Sequence, residues 1–334
     1  MSAVLEVEDL TISFRIDGSP PVDAVRGVSF EVQKGERLGL VGESGCGKST
    51  TLLGLMGLLP NTAVVGGNVR IDGEDIMRGG PERLRAARWS EVAMVFQGAM
   101  NAFNPVKTIG WQIVEAMEVK GTYSGKAAER RTGELLETVG ISADRAARFP
   151  HEFSGGMRQR AALAMALAND PKVLLADEPT TALDVMVQAQ ILDLLERLSD
   201  ELDLALVLVT HDLPMVTETC RRAAIMYAGL IVEEGPTETL YRDPHHPYTR
   251  LLFEAMPEIG DDREVASIPG APPRMDREIV GCSFAPRCPS AMDICRTDEP
   301  RTITVGQRHI ASCHLNDLPL DTKSSAGPDA TDAG

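Results

Sequence analysis

Aromatic residues are scarce. Phe, Trp and Tyr together make up 4% of the 334 residues, with two Trp and four Tyr. So few rings argue against a stacking platform for single-stranded nucleic acid. Positive charge is also short, with 33 Lys+Arg against 49 Asp+Glu and a formal net charge of −16. The overall field therefore repels nucleic acid and anionic lipid, and a polyanion can be held only at a local patch. Although 43% of residues are apolar, no run approaches the 18 or so that a bilayer span requires. The first ten residues, MSAVLEVEDL, hold three acids and no basic leader, so a secretory signal is not expected. Six cysteines in a chain of this length, without an export signal, argue against a disulfide scaffold.

What is present is enough chain for two or three domains and a large core. Residues 1–40 read as two short β segments around the turn Asp17-Gly18-Ser19-Pro20-Pro21. Residues 37–41 (RLGLV) form an apolar run that ends at a glycine-rich loop, and residues 50–59 have helical character. Strand, glycine loop and helix in that order open an α/β nucleotide fold. Residues 68–71 and 91–96 are strand candidates, and residues 105–150 are mostly helical in pattern. Buried strands are predicted at 173–176 and 205–209, with a helix over 185–202 between them and a hairpin from 224–226 and 230–232. Residues 236–280 are rich in Pro, Asp and Glu with few apolar runs, four cysteines follow between 282 and 313, and residues 316–334 read as a disordered tail.

Gly42-Glu43-Ser44-Gly45-Cys46-Gly47-Lys48-Ser49 fits G-x-x-x-x-G-K-[ST]. Its glycines let backbone N–H groups wrap a phosphate, Lys48 supplies a point charge to the β- and γ-phosphates, and the Ser49 hydroxyl can ligate Mg²⁺. Cys46 reads as a small filler. A second apolar strand ends in Asp177-Glu178. Asp177 at its tip can hold Mg²⁺ through water, and Glu178 is placed to polarise an attacking water. Taken alone, an Asp-Glu strand end is a helix cap or a solvated turn; the phosphate loop elsewhere in the chain changes that. Ser154, Gly155 and Gly156 open a further helix, residues 157–168, whose free N–H groups attract an anion.

The run Phe153-Ser154-Gly155-Gly156-Met157-Arg158-Gln159-Arg160, shortly before the Asp-Glu strand, closely resembles the LSGGQ signature of ATP-binding cassette (ABC) ATPases. In that family the element grips the γ-phosphate bound to the other subunit of a head-to-tail dimer. Further family elements match residue by residue. Gln97 is similar to the Q-loop glutamine that touches Mg²⁺, Ala182-Leu183-Asp184 to the D-loop, His211 to the switch histidine, and Phe14 to the aromatic that stacks on adenine. The resemblance covers residues 4 to about 250. It places ATP on Phe14, Gly42, Ser44, Gly45, Cys46, Gly47, Lys48, Ser49 and Thr50, and Mg²⁺ on Ser49, Gln97 and Asp177. It also implies an α/β P-loop core with a helical subdomain at about 98–160 in a nucleotide-binding domain over residues 1–240, followed by a cysteine-bearing extension over 241–315. His246-Pro247-Tyr248-Thr249, Leu251-Leu252 and the cysteine segment narrow the match to the dipeptide/oligopeptide (and nickel) importer subfamily. That subfamily implies a partner ATPase, two membrane permeases, an extracytoplasmic substrate-binding protein and a place on the cytoplasmic face of the bacterial cell membrane. A soluble non-transport ABC ATPase and an importer of nickel or oligosaccharide are the competing readings.

Cys282, Cys288, Cys295 and Cys313 are spaced C-x5-C-x6-C-x17-C. The short knuckle of a structural zinc site is absent, whereas an iron–sulfur cluster tolerates varied spacing. Zinc, with His309 and His314 as spare ligands, and unliganded or disulfide-bonded cysteines stay open on spacing alone. The subfamily resemblance implies a 4Fe–4S cluster on these four residues.

Overall fold

The structure, a computed structural model, describes residues 3–16, 18–98, 102–255 and 268–317. Strands β1 (Ala3–Phe14) and β2 (Val22–Gln33) are followed by β3 (Arg37–Val41), helix α1 (Lys48–Leu55), β4 (Ala63–Ile71), β5 (Glu74–Asp75), α2 (Gly80–Ala87) and β6 (Val92–Val95). A helical stretch follows, with α3 (Ile109–Lys120), α4 (Gly125–Thr138) and α5 (Gly155–Ala166). Then come β7 (Val173–Asp177), α6 (Val185–Glu201), β8 (Ala205–Thr210), α7 (Leu213–Thr219), β9 (Arg222–Tyr227) and β10 (Leu230–Pro236). Helices α8 (Thr237–Arg242) and α9 (Pro247–Glu254) and strands β11 (Thr302–Gly306) and β12 (His309–Ser312) complete the chain.

The main sheet runs β11-β12-β10-β9-β3-β8-β7-β6, and β6, β7, β8, β3 and β9 are mutually parallel. Parallel strands buried on both faces read as unbroken apolar runs, and β3, β7 and β8 are buried at every position. Their side chains alternate between two cores. Leu174, Ala176, Leu206 and Leu208 pack on one side with α3–α6, while Val173, Leu175, Val207 and Val209 pack on the other with α1. A second, antiparallel sheet (β2-β1-β4-β5) covers that α1 side, so α1 lies between the two sheets.

The phosphate-loop helix begins at Lys48 rather than Thr50. Gly47 turns the backbone at φ 110°, and its carbonyl accepts the first helical bonds from Thr51. Among the described residues that follow β10, α8 and α9 form, the latter capped by the His246 ring, whose Nδ1 accepts from the Tyr248 N–H at 3.0 Å. Pro247 at the first helical position is preorganised for the turn. The β11–β12 hairpin of the cysteine segment extends the main sheet through the pairs Glu233↔Ala311 and Glu234↔Ile310. Residues 318–334, which hold nearly all of the expected tail, lie outside the described residues.

Candidate functional site

Four neighbouring parallel strands, in the order β6-β7-β8-β3, deliver the site from their C-terminal ends. Gln97 follows β6, Asp177 and Glu178 end β7, His211 follows β8, and the Gly42–Ser49 loop, residues 42–49, follows β3. In an open α/β sheet the carboxyl ends of the strands are where ligands bind.

The loop has almost no room for side chains. A Cβ on Gly42 would stand 2.1 Å from the Met226 carbonyl oxygen and 2.8 Å from Cys46 Sγ. Gly47 sits at φ 110°, where a Cβ would also approach the Ala24 carbonyl at 2.5 Å. Gly45 has φ 80°, another conformation that L side chains rarely adopt. Cys46 is buried in the α1-side core, which agrees with a filler, and burial pushes its thiol up despite the nearby Lys48. Lys48 is buried as well, and its ammonium donates to the loop's own carbonyls, Gly42 O at 2.6 Å and Glu43 O at 2.9 Å. Ser49 and Thr50 occupy the first turn of α1, half-buried.

The Ser49 hydroxyl donates to Asp177 Oδ1 at 3.0 Å. Burial raises the Asp177 carboxyl, and the adjacent Glu178 charge adds to that, against the Ser49 hydrogen bond. These two oxygen donors suit a hard cation that prefers oxygen. Next to them Glu178 gathers three partners: Gln97 Nε2 donates to Oε2 at 2.7 Å, Thr181 Oγ1 donates to Oε2 at 3.0 Å, and His211 Nδ1 lies 3.0 Å from Oε1. Burial pushes this carboxyl up, but the His211 and Thr181 hydrogen bonds outweigh it, so its net position is below the usual carboxylate range. Glu178 also holds φ at 43°, a left-handed conformation costly for a side chain with a Cβ. Ala182 in the following turn has φ 66°.

Other expected residues lie apart from this group. Ser154 is exposed and caps α5, its Oγ accepting from the Met157 N–H at 3.3 Å. Gly155 and Gly156 open that helix, and among the described residues no hydrogen bond joins the three to this chain's phosphate loop. Asp184 caps α6 through Val187 N–H at 3.0 Å, next to exposed Val185 and Met186. Phe14 ends β1 and packs partly buried on the core that also holds Cys46 and Leu52. The four C-terminal cysteines are free thiols in one module, where the Cys282 N–H donates to the Cys295 carbonyl at 2.8 Å. Burial first, and then the proximity of the other three, raises the Cys313 thiol to about 12. Among the described residues, no group of three or more His, Cys, Asp or Glu is arranged to hold a metal ion. His309 is instead buried against Glu233, with Nε2 2.8 Å from Oε1, and His314 Nε2 lies 2.9 Å from the Asp298 carbonyl oxygen.

Sequence reasoning missed the surroundings of Glu43. Its N–H donates to the Tyr248 hydroxyl at 3.0 Å, and its carboxylate is gripped by Arg287 through bonds of 2.6 and 2.9 Å. The available signal was an acid inside an anion-binding loop, which calls for a neutralising partner.

The ABC transporter family model matches residues 25–181, and the model for the oligopeptide/dipeptide transporter C-terminal region matches residues 232–295. The chain is 47% identical to the oligopeptide transport ATP-binding protein OppD of Mycobacterium tuberculosis over 95% of its own length. It spans about half of that relative, 53%. It is 44% identical to the probable peptide ABC transporter ATP-binding protein y4tR of Sinorhizobium fredii, over 93% of this chain and 94% of the other. It is 42% identical to the dipeptide transport ATP-binding protein DppD of Bacillus subtilis, over 95% and 96%. Among solved structures, the ATP-binding cassette MJ0796, a dimer in a post-hydrolysis state bound to ADP and Pi, superposes with a TM-score of 0.61 at 29% identity, covering 70% of this chain and 98% of that one. With the phosphate loop, the acid-tipped β7 and the serine-glycine helix tip all in place, the chain belongs to the ABC transporter family, to the ATP-binding proteins that carry the oligopeptide/dipeptide-transporter C-terminal region.

Proposed function

We propose that this chain is the ATP-hydrolysing subunit of a transporter that imports peptides. The observation that carries the reading is the convergence of Lys48, Ser49, Asp177, Glu178, Gln97 and His211 at the ends of four adjacent parallel strands. Lys48 and the loop N–H groups bind the β- and γ-phosphates, and Ser49, Asp177 and Gln97 hold Mg²⁺. The metal, when bound, neutralises charge between the phosphate oxygens. Glu178, ionised and fixed by three partners, orients the attacking water for in-line displacement. His211 contacts the γ-phosphate, and Phe14 contributes to adenine binding.

The exposed Ser154-Gly155-Gly156 tip serves the nucleotide of a second, homologous ATPase subunit, with the turn around Asp184 at the same contact. What supports this is that Ser154 and Asp184 are exposed, and that among the described residues no hydrogen bond joins this tip to the chain's own loop. Of two membrane permeases, one docks a segment in this chain's groove of about 660 Å³, lined by Leu58, Arg85, Trp89, Met94, Phe96 and Val119, Phe96 being the residue before Gln97. No helix among the described residues is long and apolar enough to cross a membrane. On this reading the chain is held at the cytoplasmic face through the permeases. A substrate-binding protein on the far side completes the machine.

The cysteine module holds an iron–sulfur cluster on Cys282, Cys288, Cys295 and Cys313. Supporting this are four free thiols in one module, of which Cys282, Cys288 and Cys313 are raised by burial and further by neighbouring cysteines. Iron and sulfide analysis of anaerobically purified protein tests it, and a colourless protein with one zinc overturns it.

The transport reading is tested by co-purifying the chain with the permeases encoded beside it and measuring ATP hydrolysis in proteoliposomes. Peptide-loaded binding protein is expected to stimulate turnover. Stimulation by a nickel chelate or oligosaccharide instead would move the substrate class. No association with any permease would favour a soluble ATPase.

A further inference from the structure

The phosphate loop is anchored to the cysteine module by Arg287. This side chain is 4% exposed, and all five of its N–H donors are engaged. Nε donates to the Pro269 carbonyl at 2.9 Å, Nη1 to Glu43 Oε2 at 2.6 Å and the Tyr227 hydroxyl at 3.3 Å, and Nη2 to Glu43 Oε1 at 2.9 Å and the Ile268 carbonyl at 3.3 Å. Arg287 immediately precedes Cys288, and it ends a short turn, Ala285–Arg287. Behind it, Tyr227, Tyr248 and Phe284 pack ring on ring at 4.6 to 5.3 Å. The Tyr248 hydroxyl in turn holds the Glu43 N–H.

Glu43 is the second residue of the phosphate loop, and its carbonyl also accepts from Lys48. Backbone and side chain of this one residue are therefore fixed by groups that lie more than 200 positions further along the chain. A free carboxylate at this place would repel a triphosphate. Arg287 cancels that charge and fixes where it points through a bidentate pair, the strongest and most directional ion-pair geometry available to a protein.

We propose that Arg287 is a positioning residue for nucleotide binding: acting through Glu43, it couples the cysteine module to the phosphate loop, so that the state of the Cys288 turn sets the affinity for ATP. The inference rests on the loop being the ATP site. Linkage makes the coupling reciprocal, so bound nucleotide steadies the module.

The test is a double-mutant cycle on MgATP affinity, measured by titration calorimetry on the full chain in its native complex. Arg287→Ala is expected to weaken MgATP binding about tenfold, within the usual range for coupled sites. Glu43→Gln added to it should recover part of the loss, because it removes the carboxylate that Arg287→Ala leaves unpaired beside the phosphates. In hydrogen exchange, MgATP should protect residues 282–296 of the wild type and not of Arg287→Ala. Should Arg287→Ala fail to fold, Arg287→Lys keeps the charge and loses the fork, and a weakening of about three- to fivefold is expected. MgATP affinity within twofold of wild type in a folded variant, or losses that multiply in the double variant, would overturn the coupling. A Lys48→Ala control that still binds MgATP normally would overturn the nucleotide site itself.

Discussion

Replacing Glu178 by Gln separates catalysis from folding, because the two expected effects differ greatly in size. Glu178 accepts from Gln97 and Thr181 at Oε2 and pairs with His211 at Oε1. Gln keeps one acceptor oxygen and nearly the same shape, and the strained φ of 43° is no worse for it. The lost interaction is charge-assisted but partly exposed, so the stability cost is about 1 kcal/mol. If Glu178 orients and deprotonates the attacking water as proposed, its loss costs about 10²- to 10⁴-fold in turnover, or about 3–5 kcal/mol of barrier. Single-turnover phosphate release is the assay, with MgATP affinity and thermal unfolding measured on the same preparation. The expected result is turnover lost, affinity within about threefold, and an ATP-dependent association with the partner ATPase that outlasts that of the wild type. Turnover within a few-fold of wild type in the folded variant would remove Glu178 from the chemistry and leave His211 or Gln97 to be examined in its place.

Three further perturbations follow from the same geometry. Gly42→Ala places a methyl 2.1 Å from the Met226 carbonyl oxygen, a backbone atom that cannot step aside; loss of MgATP binding and destabilisation of about 1–3 kcal/mol are expected in calorimetry and thermal unfolding. His246 is buried, its Nδ1 must stay unprotonated to cap α9, and burial holds the ring down at about 4. The unfolded chain takes up that proton below about 6.5, so stability present above that value is lost as pH falls through the window from about 6.5 to 4. Linkage puts the loss near 2 kcal/mol by about pH 5. His246→Asn preserves the cap without the titration and should show a flatter urea-unfolding profile between neutral and acidic pH. Phe96→Asp, which puts a charge into the apolar groove beside Gln97, should leave MgATP binding unchanged and abolish co-purification with the permeases.

What the sequence made legible is local. The phosphate loop, the acid pair after β7 and the serine-glycine helix tip each consist of contiguous residues whose types follow from what they must do, and all were readable before any coordinates. Strand alternation was legible as continuous apolar runs because β3, β7 and β8 are buried on both faces. The order of the strands was not. That Gln97, Glu178 and His211 meet depends on β6, β7 and β8 lying side by side, a long-range pairing that periodicity does not encode. The packing around α9 was not legible for a related reason. Helix α9 is stabilised by a ring acting as cap, and Glu233 is satisfied by the His245 and His246 N–H groups and by His309, 76 positions away. Such a buried carboxylate looks like surface in a sequence.

The placement of charge links these scales. A chain with 16 more acids than bases must build its anion site out of very few cations. Lys48 is buried and held by carbonyls, and the loop's own acid is cancelled by a single buried arginine from the cysteine module. Nucleotide affinity therefore depends on two cations whose positions are set by different parts of the chain, one by the loop itself and one by residues near its C-terminal end. The site is also one-sided: Ser154 and its neighbours present an anion-attracting helix tip that this chain's own loop does not use. A second subunit supplying such a tip adds what the first lacks, and closure then becomes a function of nucleotide charge, which is the physical requirement for converting phosphate cleavage into movement.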